Sequence, residues 1–130
     1  MKFLVAYTGS RESKSALELA RSYAKIFQAK VMVMMSMEGG TGEKADEIGK
    51  AEYELTWARK FVEEEGIACE TIHLARGMTP GEDIVRFAEE NAINQLYVGI
   101  EKKSRTRKLF LGSTAQYVIL KAPCPVITVK

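Results

Sequence analysis

The sequence has few of the residues that carry covalent and metal chemistry. One histidine, His73, occurs in 130 residues. A nucleophile-histidine-acid arrangement needs an imidazole beside both partners, and no acid or cysteine pattern accompanies His73. It reads as an ordinary strand residue. The two cysteines, Cys69 and Cys124, lie far apart in apolar surroundings. They lack the paired spacing of a zinc site and read as reduced core thiols. No apolar run approaches the roughly 18 residues of a membrane span. The chain opens straight into a strand-like run, Phe3 to Ala6, with no charged-then-apolar leader, so a cytoplasmic location is expected. The net charge is only +2, which excludes a protein that is basic over its whole surface.

What is present is a regular alternation of strand and helix patterns. A hydrophobic content of 46% suffices for one core, so residues 1–130 are expected to form a single domain. Phe3 to Tyr7 reads as a buried parallel strand. Thr8-Gly9-Ser10 ends it, with Ser10 as a helix cap and Glu12 in the first turn. The helix that follows is expected to bury Ala16, Ala20, Tyr23, Ala24 and Phe27. Val31 to Met37 is a second strand whose four methionines read as core filling. Glu38-Gly39-Gly40-Thr41-Gly42 is a connector, since the lysine of a phosphate-binding P-loop does not follow it. A second helix, from about Glu43 to Glu65, carries the stripe Ile48, Ala51, Leu55, Ala58 and Val62, with Trp57 and Phe61 beside it. Gly66 stops that helix. Ile67 to Ala75 mixes polar with apolar residues, as an edge strand does. Thr79-Pro80-Gly81-Glu82 is a strong helix start, with Ile84, Phe87 and Ala88 facing inward. Gln95 to Gly99 is the fourth strand and Gly112 to Lys121 the last helix. Pro123 and Pro125 lead into the fifth strand, Val126 to Val129.

Five strands alternating with four helices predict an α/β fold with a doubly wound parallel sheet. Ligands of such sheets bind at the carboxyl ends of the strands, where the strand order reverses. With the first strand central, the Thr8 to Ser10 turn lies beside the loop after Gly99. That loop is strongly basic: Lys102, Lys103, Arg105, Arg107 and Lys108 put five cations into seven positions. Gly112-Ser113-Thr114 then opens a helix. Glycines, hydroxyls and cations at a strand-to-helix junction suit an anion, and on this scaffold a nucleotide phosphate.

Three stretches together resemble the universal stress protein family over essentially the full length. They are Leu4 to Ser10, then Arg76-Gly77 with Pro80 and Ile84, then Leu111 to Val118 with Pro123 to Ile127. The resemblance implies a Rossmann-like sheet of order 3-2-1-4-5 and a homodimer paired through the C-terminal strand. Some members bind ATP. Their motif is Gly, two residues, Gly, nine residues, then Gly-Ser or Gly-Thr. Here Gly99 and Gly112-Ser113 stand at the right separation, Lys102 replaces the middle glycine, and Thr8 stands where binders carry an aspartate. On this resemblance ATP or AMP (with Mg2+ accompanying ATP) has its adenine side near Ala6, Thr8 and Ser36. The phosphates meet Gly99, Lys102, Gly112, Ser113 and Thr114, assisted by Arg105 or Arg107. A lysine held at positive φ costs on the order of 1 kcal/mol, although it adds a cation. Losing an ionised acceptor at Thr8 costs roughly 1.5–3 kcal/mol. The alternative is a dimeric interaction module of the same family that does not hold nucleotide tightly.

An enzymatic role has less support. Thr8 to Ser13 is only a degenerate likeness of the pyrophosphate loop of ATP pyrophosphatases. Glu101 is the only acid in the basic loop, whereas phosphoryl transfer needs carboxylates to hold magnesium. No catalytic residue and no metal ligand is assigned, and slow ATP hydrolysis is the most expected. No aromatics are interleaved with Lys102 to Lys108, so stacking on bases is not indicated and no specific nucleic-acid partner is expected.

Overall fold

The computed structural model describes residues 1–37, 45–101 and 111–130. Its elements in chain order are β1 (Lys2–Ala6), α1 (Arg11–Phe27), β2 (Lys30–Met37), α2 (Ala45–Glu63), β3 (Cys69–Ala75), α3 (Pro80–Glu90), β4 (Gln95–Gly99), α4 (Ser113–Lys121) and β5 (Val126–Val129). The strands form one sheet in the order β3-β2-β1-β4-β5, every pair parallel. The strand order reverses between β1 and β4. Phe3 of β1 stands opposite Val31 of β2 and Gln95 of β4, so the three central strands share one register frame.

Side-chain alternation along the strands divides the core in two. Phe3 and Val5 of β1, Val31 and Val33 of β2, and Tyr97 of β4 face α1 and α2, meeting Ala16, Leu17, Ala20, Leu55 and Val62. Leu4 and Ala6, Met32 and Met34, and Leu96 and Val98 face α3 and α4, meeting Ile84, Phe87, Ala88, Ala115 and Val118. Both faces of the central strands are covered, as a doubly wound sheet requires. The reading of the methionines as core filling holds for Met32 and Met34, which are buried. Met35 and Met37 are only partly buried.

Ser10 caps α1, its side chain accepting from the Ser13 amide, and Thr79 caps α3 by accepting from the Glu82 amide with Pro80 opening the helix. Two apolar stripes differ from expectation. Tyr23 and Phe27 are 39% and 53% exposed. The face that α1 buries is Ser13, Ala16, Leu17, Ala20 and Ala24. Small residues let the helix sit close on the sheet, which leaves the two rings on its flank. There Phe27 meets the edge of Phe3 and Tyr23 tilts against Tyr97. Ile48 of α2 is 38% exposed, so the buried stripe of that helix begins at Ala51. β3 starts at Cys69, two residues later than the apolar pattern suggests, although Ile67 is buried before it. Gly66 takes φ +75° in the turn between, where its amide donates to the Glu63 carbonyl at 2.9 Å.

Candidate functional site

A cleft of about 390 Å3 opens at the carboxyl ends of β1, β2 and β4. It brings together Ala6 and Thr8 at the end of β1, Ser36 near the end of β2, Gly99 at the end of β4, and Gly112 and Thr114 at the start of α4. Six of the residues singled out in the sequence therefore share one surface. Ser113 is exposed and is not part of the lining. Lys102, Arg105 and Arg107 lie outside the described residues, as does the Glu38 to Gly42 connector.

The two glycines of the motif differ physically. A Cβ on Gly99 would overlap the backbone of Glu12 and come within 2.7 Å of the Ser13 nitrogen. Gly99 is thus required by the close approach of β4 to the first turn of α1. Gly112 has an ordinary φ of -63°, and a Cβ there would meet nothing within 4 Å. Neither its backbone conformation nor packing by the described residues demands a glycine, yet it lines the cleft.

The two helix starts at the cleft also differ. At α1, Ser10 Oγ accepts from the Ser13 amide at 3.1 Å. Ser13 Oγ donates to the Ser10 carbonyl at 3.0 Å, and Thr8 Oγ1 donates to Ser10 Oγ at 2.9 Å. The hydroxyl of Thr8 is therefore engaged within its own turn. At α4, the cap residue is Gly112, and among the described residues no side chain caps the helix. Its first-turn amides carry the positive end of the helix dipole, and no described side chain accepts from them, an arrangement suited to an anion.

The base of the cleft between these ends is apolar, formed by Ala6, Met34, Ile84 and Val98. Two carboxylates, Glu12 and Glu101, also line it, and they oppose the approach of highly charged anions.

An ionic cluster around a buried carboxylate includes Ser36 of the cleft lining, and its charged members were not singled out as site residues in the sequence. Asp83 of α3 is fully buried. Arg76 Nε donates to Asp83 Oδ1 at 2.6 Å, and Ser36 Oγ donates to Asp83 Oδ2 at 2.7 Å. Arg76 Nη1 also reaches Glu90 Oε1 at 3.3 Å. A signal for it existed. Asp83 lies on the same helical stripe as Ile84, Phe87 and Ala88, and a charged residue on an apolar stripe needs a partner. Tyr7 likewise escaped notice. It lines the cleft, and its hydroxyl donates to Glu54 Oε2 at 3.1 Å. Burial, then the Glu54 carboxylate, pushes its phenol well above the ordinary range.

His73, Cys69 and Cys124 all lie outside the cleft lining, and of the two expected core thiols Cys69 is buried whereas Cys124 is half-buried. His73 sits half-buried on β3 with Nε2 3.0 Å from Met37 Sδ. Cys69 is buried, and burial first, then the Glu63 charge, raises its thiol to about 12. Both Cys69 and Cys124 are free thiols. Among the described residues no cluster of three or more histidine, cysteine or acidic side chains could hold a metal ion. No helix among them is long and apolar enough to cross a membrane.

Comparison with known proteins agrees with this architecture. A universal stress protein of Methanocaldococcus jannaschii is 31% identical to the chain, covering 99% of it and 81% of the relative. The structure of a universal stress protein from Archaeoglobus fulgidus superposes with a TM-score of 0.89 at 37% identity, covering 100% of this chain and 93% of that one. A universal stress protein from the same organism, solved in complex with dAMP, gives a TM-score of 0.83 at 32% identity over 99% of this chain and 96% of that one. The model of the universal stress protein family matches residues 1–130, and the chain belongs to that family.

Proposed function

We propose that the protein binds an adenine nucleotide in the cleft at the β1/β4 switch point and acts as a regulatory member of its family. The observation that carries this reading is the start of α4. Among the described residues its amides have no side-chain cap, and they open beside Gly112 onto a cleft with an apolar base. The phosphate is held by the first turn of α4, with the Ser113 and Thr114 hydroxyls available to it. The adenine lies over Ala6 and Met34, toward Ser36. The structure solved with dAMP, at 32% identity, supports the ligand class. Glu12 and Glu101 repel each added phosphate charge, and the cations of the 102–108 run oppose that repulsion, so both AMP and ATP are candidates. ATP would bind with Mg2+ and draw on Lys102 and Arg105. The free thiols Cys69 and Cys124 suit a reducing cytoplasm.

Isothermal titration of AMP and of ATP into nucleotide-free protein tests the proposal. Saturable heat with AMP, at one nucleotide per chain, is the expected result. No heat at millimolar AMP and ATP overturns it.

One observation favours the second reading, a dimeric interaction module without tight nucleotide binding. Thr8 offers no carboxylate to a ribose, and its hydroxyl already donates to Ser10. Nucleotide released when the purified protein is denatured would eliminate that reading. In either case the homodimer is proposed to pair through β5, an edge strand of the sheet.

A further inference from the structure

The turn that carries Thr8 is held from the face of the sheet opposite the base of the cleft. That base belongs to the layer between the sheet and α3 and α4. Tyr7 belongs to the other layer, under α1 and α2. It is the first residue beyond β1, and its amide donates to the Met34 carbonyl at 2.9 Å. The residue is only 2% exposed, and a buried phenol needs a hydrogen-bond partner. Glu54 of α2 is that partner, since the Tyr7 hydroxyl donates to Oε2 at 3.1 Å. Burial keeps the phenol protonated through the neutral range, so it stays a donor.

Glu54 meets the same turn at two further points. Gly9 takes φ +83°, and a Cβ there would come within 3.0 Å of Glu54 Cδ. The acidic side chain thus lies directly against the Gly9 backbone. Lys14 of α1 reaches the carboxylate with Nζ 3.9 Å from Oε2, and the same Nζ lies 4.9 Å from the centre of the Trp57 ring. Tyr7 and Gly9 are the two chain neighbours of Thr8. Thr8 and Ser10 line the cleft, whereas Glu54 does not.

We propose that Glu54 is a positioning residue of the cleft: acting through Tyr7 and Gly9, it sets the Thr8 to Ser10 turn and thereby the affinity for nucleotide. The inference rests on the nucleotide reading above and deepens it. Thr8 Oγ1 donates to Ser10 Oγ, and Ser10 caps α1. A shift at Gly9 therefore moves two residues of the cleft lining together with the first turn of that helix. Binding to a preset site avoids the cost of ordering its walls, and a loosened turn restores that cost.

Calorimetric titration of AMP and of ATP into the wild type, Tyr7→Phe, Glu54→Ala and Glu54→Gln tests this, alongside amide NMR of the ligand-free proteins. Glu54→Ala removes both the acceptor for Tyr7 and the contact on Gly9. It is expected to bind nucleotide about tenfold more weakly, the effect of one misplaced hydrogen bond, and to shift the Thr8, Gly9 and Ser10 amides. In Glu54→Gln the amide oxygen accepts from Tyr7 and the stem still covers Gly9. That variant is expected to restore affinity to within about threefold of wild type. Tyr7→Phe is expected to weaken nucleotide too. Adding it to Glu54→Ala is expected to cost nothing further, since both changes remove the same bond. A merely structural role would lower the midpoint of urea unfolding and leave the affinity of the folded protein unchanged in every variant. That result overturns the inference and leaves the nucleotide reading intact. So does a double variant whose loss is the product of the two single losses. If Glu54→Ala does not fold, Tyr7→Phe decides, and wild-type affinity in it overturns the inference. A wild type that binds neither AMP nor ATP overturns both readings.

Discussion

Gly99 and Gly112 show how one residue type serves two ends in a single motif. Gly99 answers to the protein, because a side chain there runs into the first turn of α1. Gly112 answers to whatever occupies the cleft. Gly99→Ala is therefore expected to lose about 1–3 kcal/mol of stability, the usual cost of forcing an atom into a packed contact. Gly112→Ala is expected to lose no more than about 1 kcal/mol, the cost of a poorer cap. It weakens AMP about tenfold, or roughly 1.4 kcal/mol. Urea denaturation and calorimetry on both variants separate the two effects. If Gly112→Ala unfolds as readily as Gly99→Ala, the distinction fails.

Cys69 makes a prediction about alkaline pH. Its ordinary value is 9.0, and burial raises it to about 12 in the folded chain. Between those values the folded state holds a proton that the unfolded state has lost. The thiol's contribution to stability is complete below pH 9 and declines as pH rises toward 12, by about 1.4 kcal/mol per pH unit. Stability measured above pH 9 should fall less steeply in Cys69→Ala than in the wild type. Equal slopes would show that the thiol stays protonated in both states or ionises in both.

At the scale of elements, much was legible because local chemistry and tertiary demand agree. Ser10 and Thr79 cap the helices that their sequences announce, and the strand runs fall where β-branched and apolar residues cluster. The flanks of helices were less legible. Periodicity alone cannot distinguish an aromatic that faces the sheet from one that leans on its edge, so it points Tyr23 and Phe27 inward although both lie half outside. For the candidate site, spacing located the glycines, and order along the chain placed Thr8 near Gly99. The Arg76–Asp83–Ser36 cluster joins residues up to 47 positions apart, and only the packing of α3 on the assembled sheet brings them together.

That cluster belongs to the junction of β2, β3 and α3. Arg76 shields a carboxylate that has no access to water. Arg76→Ala leaves that charge without its guanidinium; because Arg76 itself is one-third exposed, the expected loss is about 1–3 kcal/mol, the cost of leaving a buried acceptor unpaired. Chemical denaturation provides the check. A loss within the range of an exposed ion pair, under about 1 kcal/mol, would mean that water reaches Asp83.

For the whole molecule, the consequence of the topology is an edge. β5 pairs with β4 along one side only among the described residues. Leu96 N donates to the Pro125 carbonyl and Ile100 N to the Val129 carbonyl. The alternation of a parallel ladder then turns the Val126 and Thr128 backbone groups outward. Thr128→Pro removes an outward amide and no β4 bond. The account predicts a dimer in the wild type at tens of micromolar, and a folded monomer in Thr128→Pro, by sedimentation equilibrium. A wild-type monomer at that concentration contradicts pairing through this strand.

The site itself is a property of the whole molecule, since β1, α1, β2, α3, β4 and α4 all contribute to its lining. Its central claim is that an adenine nucleotide lies across that cleft with its phosphate on α4. Backbone amide NMR during titration with AMP, and in parallel with adenosine, tests this most directly. The account predicts that AMP shifts the amides of Ser113, Thr114 and Ala115 together with those near Ala6 and Ser36, whereas adenosine moves only the second group. Shifts confined to another surface, or α4 amides that respond equally to both ligands, would contradict it.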